Sequence, residues 1–296
     1  MSKRGRPAIK LKALLIDLNG TLHLGSEPTK NAVNAIEKLR KAKIPFIFCS
    51  NSTKESSKHL LSGLNDMGFK AKQEELMTSL SACRQFVQER GYQRPYLLMS
   101  DSAKQEFTSS SSSAEKSYDS VILGLHPPSL SYDNLNIAFR ILKQEPISVN
   151  LVENSFSKSS KPILIAPHKS SYQQSPSTDH LPEGLSLGIG PFVTLLEEAG
   201  GIQAEIVGKP TERFFELAIE RLKRNAGMEQ GFNSNDIGII GDDISNDLGD
   251  GAKELGLTRI LVKTGKYRPE SEKTNHPPDL LYETFAEFVE DFLHKL

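Results

Sequence analysis

The chain has 296 residues, 37% of them hydrophobic, and a formal net charge of −1. That length supports more than one core, and the near-neutral balance excludes a global electrostatic pull toward nucleic acid or a membrane surface. Two cysteines, Cys49 and Cys83, are too few for a disulfide framework and point to a reducing compartment.

In chain order, residues 1–12 form a basic segment read as a disordered tail. Within it, Lys3-Arg4-Gly5-Arg6-Pro7 has the composition of a hook for the minor groove of AT-rich DNA. A single copy is read as solvated charge, so nucleic-acid binding is not expected. The apolar run that follows is too short for a signal-peptide core and is interrupted by Asp17, and no later run reaches membrane-spanning length. The expectation is a soluble cytoplasmic protein with no membrane partner; the basic tail keeps a nuclear location open.

Residues 13–17 read as a buried strand, and residues 29–42 as a helix carrying Val33, Ile36 and Leu39 at helical spacing. Pro45 precedes a second strand at 46–50, and residues 54–67 read as a helix stopped by Gly68. Between about 79 and 203 the texture changes, with polar interruptions at 108–113, 154–161 and 170–183. Strand-like runs at 96–99, 121–123 and 163–166 alternate there with helical patterns at 134–143 and 192–199, and Ser109 to Ser113 reads as a flexible loop. Apolar runs at 204–207, 237–240 and 259–262 restore the opening rhythm. The last helix carries one stripe of Phe285, Phe288, Val289, Phe292, Leu293 and Leu296. The predicted class is α/β: a doubly wound parallel-sheet core of residues 13–78 and 205–296, with a second α/β unit inserted at 79–204.

Four polar sites fall at the carboxyl ends of the predicted core strands or in the loops beside them: Asp17-Leu18-Asn19-Gly20-Thr21, Ser50-Asn51, Gly208-Lys209-Pro210, and Gly241-Asp242-Asp243 with Asp247 beyond. Ligands of open α/β sheets bind at such ends, so the four are expected to converge. A carboxylate attacking an anionic phosphate monoester needs both charges offset. Magnesium held by Asp17 and Asp242 would do so, with a main-chain carbonyl at position 19 completing the protein ligands. Lys209 would set a compact positive charge against the phosphoryl oxygens, and Ser50 and the Asn51 amide would donate hydrogen bonds to them. Asp247 would hold metal-bound water or orient Lys209, and Thr21 would stabilise the loop of the nucleophile. Singly, each of these residues is more commonly a cap, a turn or a surface charge; the joint order favours chemistry. His23 reads as a packing or loop residue and His168 as a residue of the inserted unit. No histidine or cysteine pair has zinc-ligand spacing.

In this order the motifs resemble the haloacid dehalogenase (HAD)-like hydrolase superfamily with a type-2 cap. The likeness includes Asn51-Ser52-Thr53-Lys54-Glu55-Ser56, Gly190-Pro191-Phe192-Val193, Val207-Gly208-Lys209-Pro210 and Val262-Lys263-Thr264-Gly265-Lys266-Tyr267-Arg268. The resemblance implies a magnesium-dependent phosphatase that acts on small phosphorylated substrates through an aspartyl-phosphate intermediate. Asp17 is then the nucleophile, Asn19 the residue at the acid–base position, and Asp17, Asn19 and Asp242 the metal set. Asp17, Leu18, Asn19, Ser50, Asn51 and Lys209 form the substrate set, with Asp247 and Thr21 supporting. Lys169 and Tyr172 fall where cap residues approach the ligand, and pairing of two copies through the cap is a further implication. Most phosphatases of this superfamily carry Asp where this chain has Asn19, so a preference for good leaving groups is expected: phosphoramidates, pyrophosphate, aryl phosphates. The rival expectation is a catalytically impaired phosphate-ligand-binding or regulatory protein.

Overall fold

The computed structural model describes residues 11–107, 118–147, 161–175, 177, 179–227 and 233–296. The Lys3–Pro7 hook, the Ser109 to Ser113 tract and nearly all of the 154–161 interruption lie outside the described residues. Leu11 and Lys12, expected in the tail, are anchored instead. Leu11 is buried in the core, and Lys12 donates its main-chain N–H to the Asp236 carbonyl and its Nζ to the Asp236 carboxylate.

The chain opens with strand β1 (Ala13–Asp17), the hairpin β2 (His23–Leu24) and β3 (Glu27–Pro28), helix α1 (Ala32–Lys41), β4 (Phe46–Ser50) and α2 (Ser57–Asp66). After β5 (Leu76–Thr78) and α3 (Ser79–Arg90) come β6 (Pro95–Leu98), α4 (Asp101–Lys104), β7 (Ser120–Leu123), α5 (Tyr132–Lys143) and β8 (Ile163–Ala166). A second hairpin, β9 (Tyr172–Ser175) and β10 (Gly184–Leu187), precedes α6 (Gly190–Gly200) and β11 (Glu205–Ile206). The chain closes with α7 (Glu212–Ala226), β12 (Ile237–Gly241), α8 (Asp250–Glu254), β13 (Thr258–Val262), β14 (Leu280–Tyr282) and α9 (Phe285–His294).

Two parallel sheets result. The larger runs β14-β13-β12-β1-β4-β5, and the smaller runs β11-β8-β7-β6. From β1 the chain winds outward through β4 and β5, then returns beside β1 as β12 and winds the other way. β1 and β12 therefore flank a topological switch point, where strand ends leave a crevice.

Strand alternation places the core. Leu14 and Ile16 of β1, with Phe46 and Phe48 of β4, enter one cluster with α1 and α9. Ala13, Leu15, Ile47 and Cys49 enter the opposite cluster with α7 and α8. Every residue of β1 is buried, and each large apolar side chain so placed contributes roughly 1.5–3 kcal/mol. The smaller sheet is likewise sandwiched, by α5 and α6 on one face and α3 and α4 on the other.

Four expectations shift. The 204–207 run, predicted to open the returning core, is the edge strand of the smaller sheet: Glu205 and Ile206 pair with Ile165 and Ala166 of β8. It is short and half-exposed, so local hydrophobicity could not say which sheet it joins. Helix α1 starts three residues later than predicted, because the Thr29 hydroxyl is held by the Thr21 and Leu22 carbonyls. Helix α2 starts at Ser57 because Ser56 caps it through the His59 N–H. Leu296 falls beyond the end of α9 and is exposed, so the apolar stripe stops at Leu293. Among the described residues no helix is long and apolar enough to cross a membrane.

Candidate active site

β1 ends on Asp17, β4 on Ser50, and β12 on Gly241, directly before Asp242. All three strand ends open on one cavity of about 290 Å3, lined by Asp17, Asn19, Ser50, Asn51, Asp242 and Asp247 among others. The predicted sites therefore converge. Oxygens of Asp17, Asp242 and Asp247 lie within 4.8 Å of one another, and all three residues are buried.

Asp17 is held from both sides. Thr21 Oγ1 donates to Asp17 Oδ2 at 3.0 Å, and Lys209 Nζ donates to Asp17 Oδ1 at 2.5 Å. The two other Lys209 donors reach Asp247 Oδ1 at 2.8 Å and the Cys49 carbonyl at 3.1 Å. Lys209 is fully buried, with all three ammonium donors used, so it sits behind Asp17 rather than lining the cavity. Its placement comes from Asn51, whose side-chain amide donates to the Lys209 carbonyl at 2.9 Å and accepts the Lys209 N–H at 3.0 Å. With that amide closed on Lys209, any donation by Asn51 to a ligand falls to its main-chain N–H. Ser50 Oγ accepts the Ser52 N–H at 3.1 Å, which leaves its hydroxyl proton for another partner. Leu18 contributes no side chain to the cavity: it is 1% exposed and belongs to the core.

Asp242 sits differently. The Lys266 N–H donates to its Oδ2 at 2.6 Å, and no donor reaches its Oδ1 among the described residues. Two glycines clasp this carboxylate. A Cβ at Gly20 (φ +100°) or at Gly265 (φ +52°) would stand 2.1 Å from Asp242 Oδ2, and both conformations disfavour L side chains. Thr264 Oγ1 donates to the Gly20 carbonyl at 2.5 Å and ties these loops together.

Asp243 shapes the turn. It accepts the N–H groups of Ser245 and Asn246, the Asn246 side-chain amide at 2.6 Å and Lys266 Nζ at 3.2 Å. Burial alone would raise its pKa, but the Lys266 charge and the Asn246 bonds hold it below the usual carboxylate range. Asp17 behaves oppositely: burial, then the Asp247 charge, outweigh Lys209 and push it up to about 6. Asp242 is raised well above the usual range by burial and by the charges of Asp247 and Asp17. Lys209 is raised because its two carboxylates outweigh its burial, and Lys266 is raised by Asp247, Asp243 and Asp242 against the same penalty.

The donor set fits a divalent cation. Four carboxylates, Asp17, Asp242, Asp243 and Asp247, gather around two ammonium groups, Lys209 and Lys266, and Lys54 and Glu55 also line the cavity. The four carboxylates outnumber the ammonium groups they bond, and the one with an unclaimed oxygen is Asp242. Oxygen-only donors at this spacing suit magnesium, with water and substrate oxygens completing the shell. Asn19 is exposed and lines the cavity.

Lys266, His168, Ser170, His23 and Tyr172 complete the walls. Lys266 belongs to the Val262 to Arg268 run, and only the fold brings it onto Asp242 and Asp243. His168, 8% exposed, accepts the Ser170 N–H at Nδ1, and Ser170 Oγ meets Asn246 Oδ1 at 3.0 Å. Burial, then the Lys266 and Lys209 charges, lower the His168 pKa to about 3 and keep the ring neutral. His23 also lines the cavity, and burial lowers its pKa. Tyr172 lines the cavity as the resemblance implied, whereas Lys169 is turned to a salt bridge with Glu197.

A family profile described as Haloacid dehalogenase-like hydrolase matches residues 14–111, and a second, HAD-hydrolase-like, matches residues 206–288. The chain belongs to the haloacid dehalogenase-like hydrolase family. It is 39% identical over 287 residues to human haloacid dehalogenase-like hydrolase domain-containing protein 2, covering 97% of each chain. It is 35% identical to the phospholysine phosphohistidine inorganic pyrophosphate phosphatase of Xenopus laevis, over 90% of this chain and 88% of the other. The fold is shared with the crystal structure of the 4-nitrophenylphosphatase from Thermotoga maritima, with a TM-score of 0.76 at 21% identity over 96% of this chain and 98% of that one.

Proposed function

We propose that the chain is a magnesium-dependent phosphatase of small phosphorylated substrates, working through an aspartyl-phosphate on Asp17. One observation carries the reading. Asp17 stands at the floor of the cavity, fixed by Thr21 and Lys209, within ligand distance of Asp242 and Asp247.

Asp17, Asp242 and the Asn19 carbonyl would hold the ion, which when bound supplies positive charge against the phosphoryl oxygens. An Asp17 carboxylate oxygen attacks phosphorus, the bond from phosphorus to the leaving group breaks, and the leaving group departs with its electron pair. Water then attacks the same phosphorus, freeing phosphate and restoring Asp17. Lys209 fixes the attacking carboxylate and keeps Asp247 paired, while Ser50 and the Asn51 N–H receive phosphoryl oxygens. An amide at position 19 neither gives nor takes a proton near neutral pH, so departing groups stable as anions or neutral amines are favoured.

Sheet membership supports an inserted unit running from Ser79 to Val207, which would close over the site and bring His168, Ser170 and Tyr172 to the substrate. Its β9–β10 hairpin exposes Leu185 and Leu187, the face on which two copies would pair; sedimentation of Leu185→Glu/Leu187→Glu checks this. Asn19 also favours a second reading, a phosphate-ligand-binding protein without useful turnover. A magnesium-supplemented screen of phosphoramidates, pyrophosphate, aryl and sugar phosphates, with Asp17→Asn as blank, decides between them. Turnover above the blank supports the phosphatase; tight magnesium-dependent binding with turnover equal to the blank supports the second reading.

A further inference from the structure

Two cavities meet at one wall beside the reaction centre. The first, of about 290 Å3, holds Asp17, Asn19 and Asp242. The second, of about 570 Å3, lies between the β2–β3 hairpin and helix α2. His23, Gly25, Glu55 and Leu60 line both, so the second space continues outward from the first.

Its chemistry is one-sided. Among the described residues no lysine or arginine lines the outer groove; Glu27, Glu55 and Asp66 supply its charge, over a floor of Leu60 and Met67. Glu55 faces His59 at 3.4 Å, and Glu27 and Asp66 make no ion pair among the described residues. Independently, His23 presents an acceptor with no donor. Its Nδ1 meets the Gly25 carbonyl at 2.8 Å, and a carbonyl only accepts, so the ring proton sits on Nδ1. Nε2 is therefore a lone pair, buried and unpartnered, on a residue that is 7% exposed. Buried acceptors in folded proteins ordinarily have donors, and this one stands in the shared wall.

We infer that the groove between the β2–β3 hairpin and α2 binds a cationic amine or guanidinium carried by the leaving group of the substrate. An N–H of the leaving group near the shared wall meets His23 Nε2, and further out Glu27, Glu55 and Asp66 face the charge. The inference rests on the phosphatase reading and adds to it the class of leaving group. From Leu60 to Met67 the groove follows α2 for about 10 Å. That length takes an alkyl stem laid along Leu60 and Met67 with its charged head at the acidic outer end.

The test compares kcat/KM for two phosphotyrosine amides, one 4-aminobutyl and one butyl, with 4-nitrophenyl phosphate as the reference for every variant. Wild-type protein should favour the aminobutyl amide about ten-fold, the size of one well-placed charged contact. Glu27→Lys/Asp66→Lys should bring that ratio to about one; a ratio within one variant is insensitive to any general loss of folded protein. Equal use of the two amides by the wild type, or an unchanged ratio in the variant, overturns the inference. A lysine-flanked phosphotyrosyl tripeptide used better than the aminobutyl amide assigns the cation to a peptide, and the reverse to a small molecule. Should the wild type leave 4-nitrophenyl phosphate intact, the phosphatase reading fails separately. Binding of unphosphorylated tyrosine 4-aminobutyl amide, tighter to the wild type than to the double variant, then still supports the groove, and equal binding overturns it.

Discussion

The two sides of the site treat their carboxylates in opposite ways. On the Asp17 side, Lys209 donates to Asp17, Asp247 and the Cys49 carbonyl, and Thr21 closes the remaining oxygen. On the Asp242 side, a single N–H from Lys266 reaches one oxygen, two glycines bring bare backbone against that same oxygen, and Oδ1 has no donor among the described residues. The first side is a finished network and the second is a charge deficit. The fold fixes Asp17 internally and leaves one oxygen of Asp242 free, so under the proposed function the attacking group would be preset and the metal-facing group would depend on what binds. Buried networks of this kind rigidify only when satisfied, so under the proposed function the unsatisfied half is where a cation would enter.

The largest expected effect breaks the finished side. Asp17→Asn should lower turnover by about 10^4-fold or more while leaving the fold intact, as read by steady-state rates and a thermal melt. Next comes Lys209→Met, which strands Asp17 and Asp247 in a dry pocket. Chemical denaturation should show a loss of roughly 3–5 kcal/mol, the usual cost of removing one partner of a buried pair, and activity should fall with it. Intact stability in that variant would show that the network is not structural.

Asn19→Asp tests the position between the two sides. Restoring a proton-transferring group should raise kcat/KM on alkyl phosphates by about 10^2-fold, with much less gain on aryl phosphates. No gain on either would tie low turnover to something other than position 19.

The smallest effect concerns pH and the open side. Asp17 is raised from its ordinary value of 3.8 to about 6, and Asp242 is raised well above the same ordinary value. The folded protein therefore keeps these protons longer than the unfolded chain does. For the metal-free protein, stability is greatest below about pH 4 as far as these groups are concerned, and is lost as pH rises through about 6. Magnesium offsets the same charges, so its effect on the melting temperature should grow from pH 5 to pH 7.5. Asp242→Asn should raise the metal-free melting temperature by a few degrees at pH 7.5 and erase most of the magnesium response. A magnesium shift independent of pH would sever the link.

Much of this was legible in the residues. Ala13 to Asp17 alternates between two cores as a buried strand must, and the predicted strands at 46–50, 237–240 and 259–262 all lie in the larger sheet. Asp17, Ser50, Asn51 and Asp242 could be picked out because each follows an apolar run in an order that has one good explanation. The 204–207 run went to the other sheet because two half-exposed residues carry too little pattern to choose a partner. The hairpins β2–β3 and β9–β10 were missed for a related reason. Their strands have two to four residues, and cross-strand partners rather than local propensity decide them.

The sequence alone determined the family, the alternation of strands and helices, and which strand ends bear acids, because these depend on local order along the chain. Only the tertiary structure decided that Lys209 lies behind Asp17, that Lys266 and His168 reach the site, and that His23 borders two cavities. Those outcomes depend on distances between residues far apart in the chain, and electrostatic and hydrogen-bond energies are set by distance and burial.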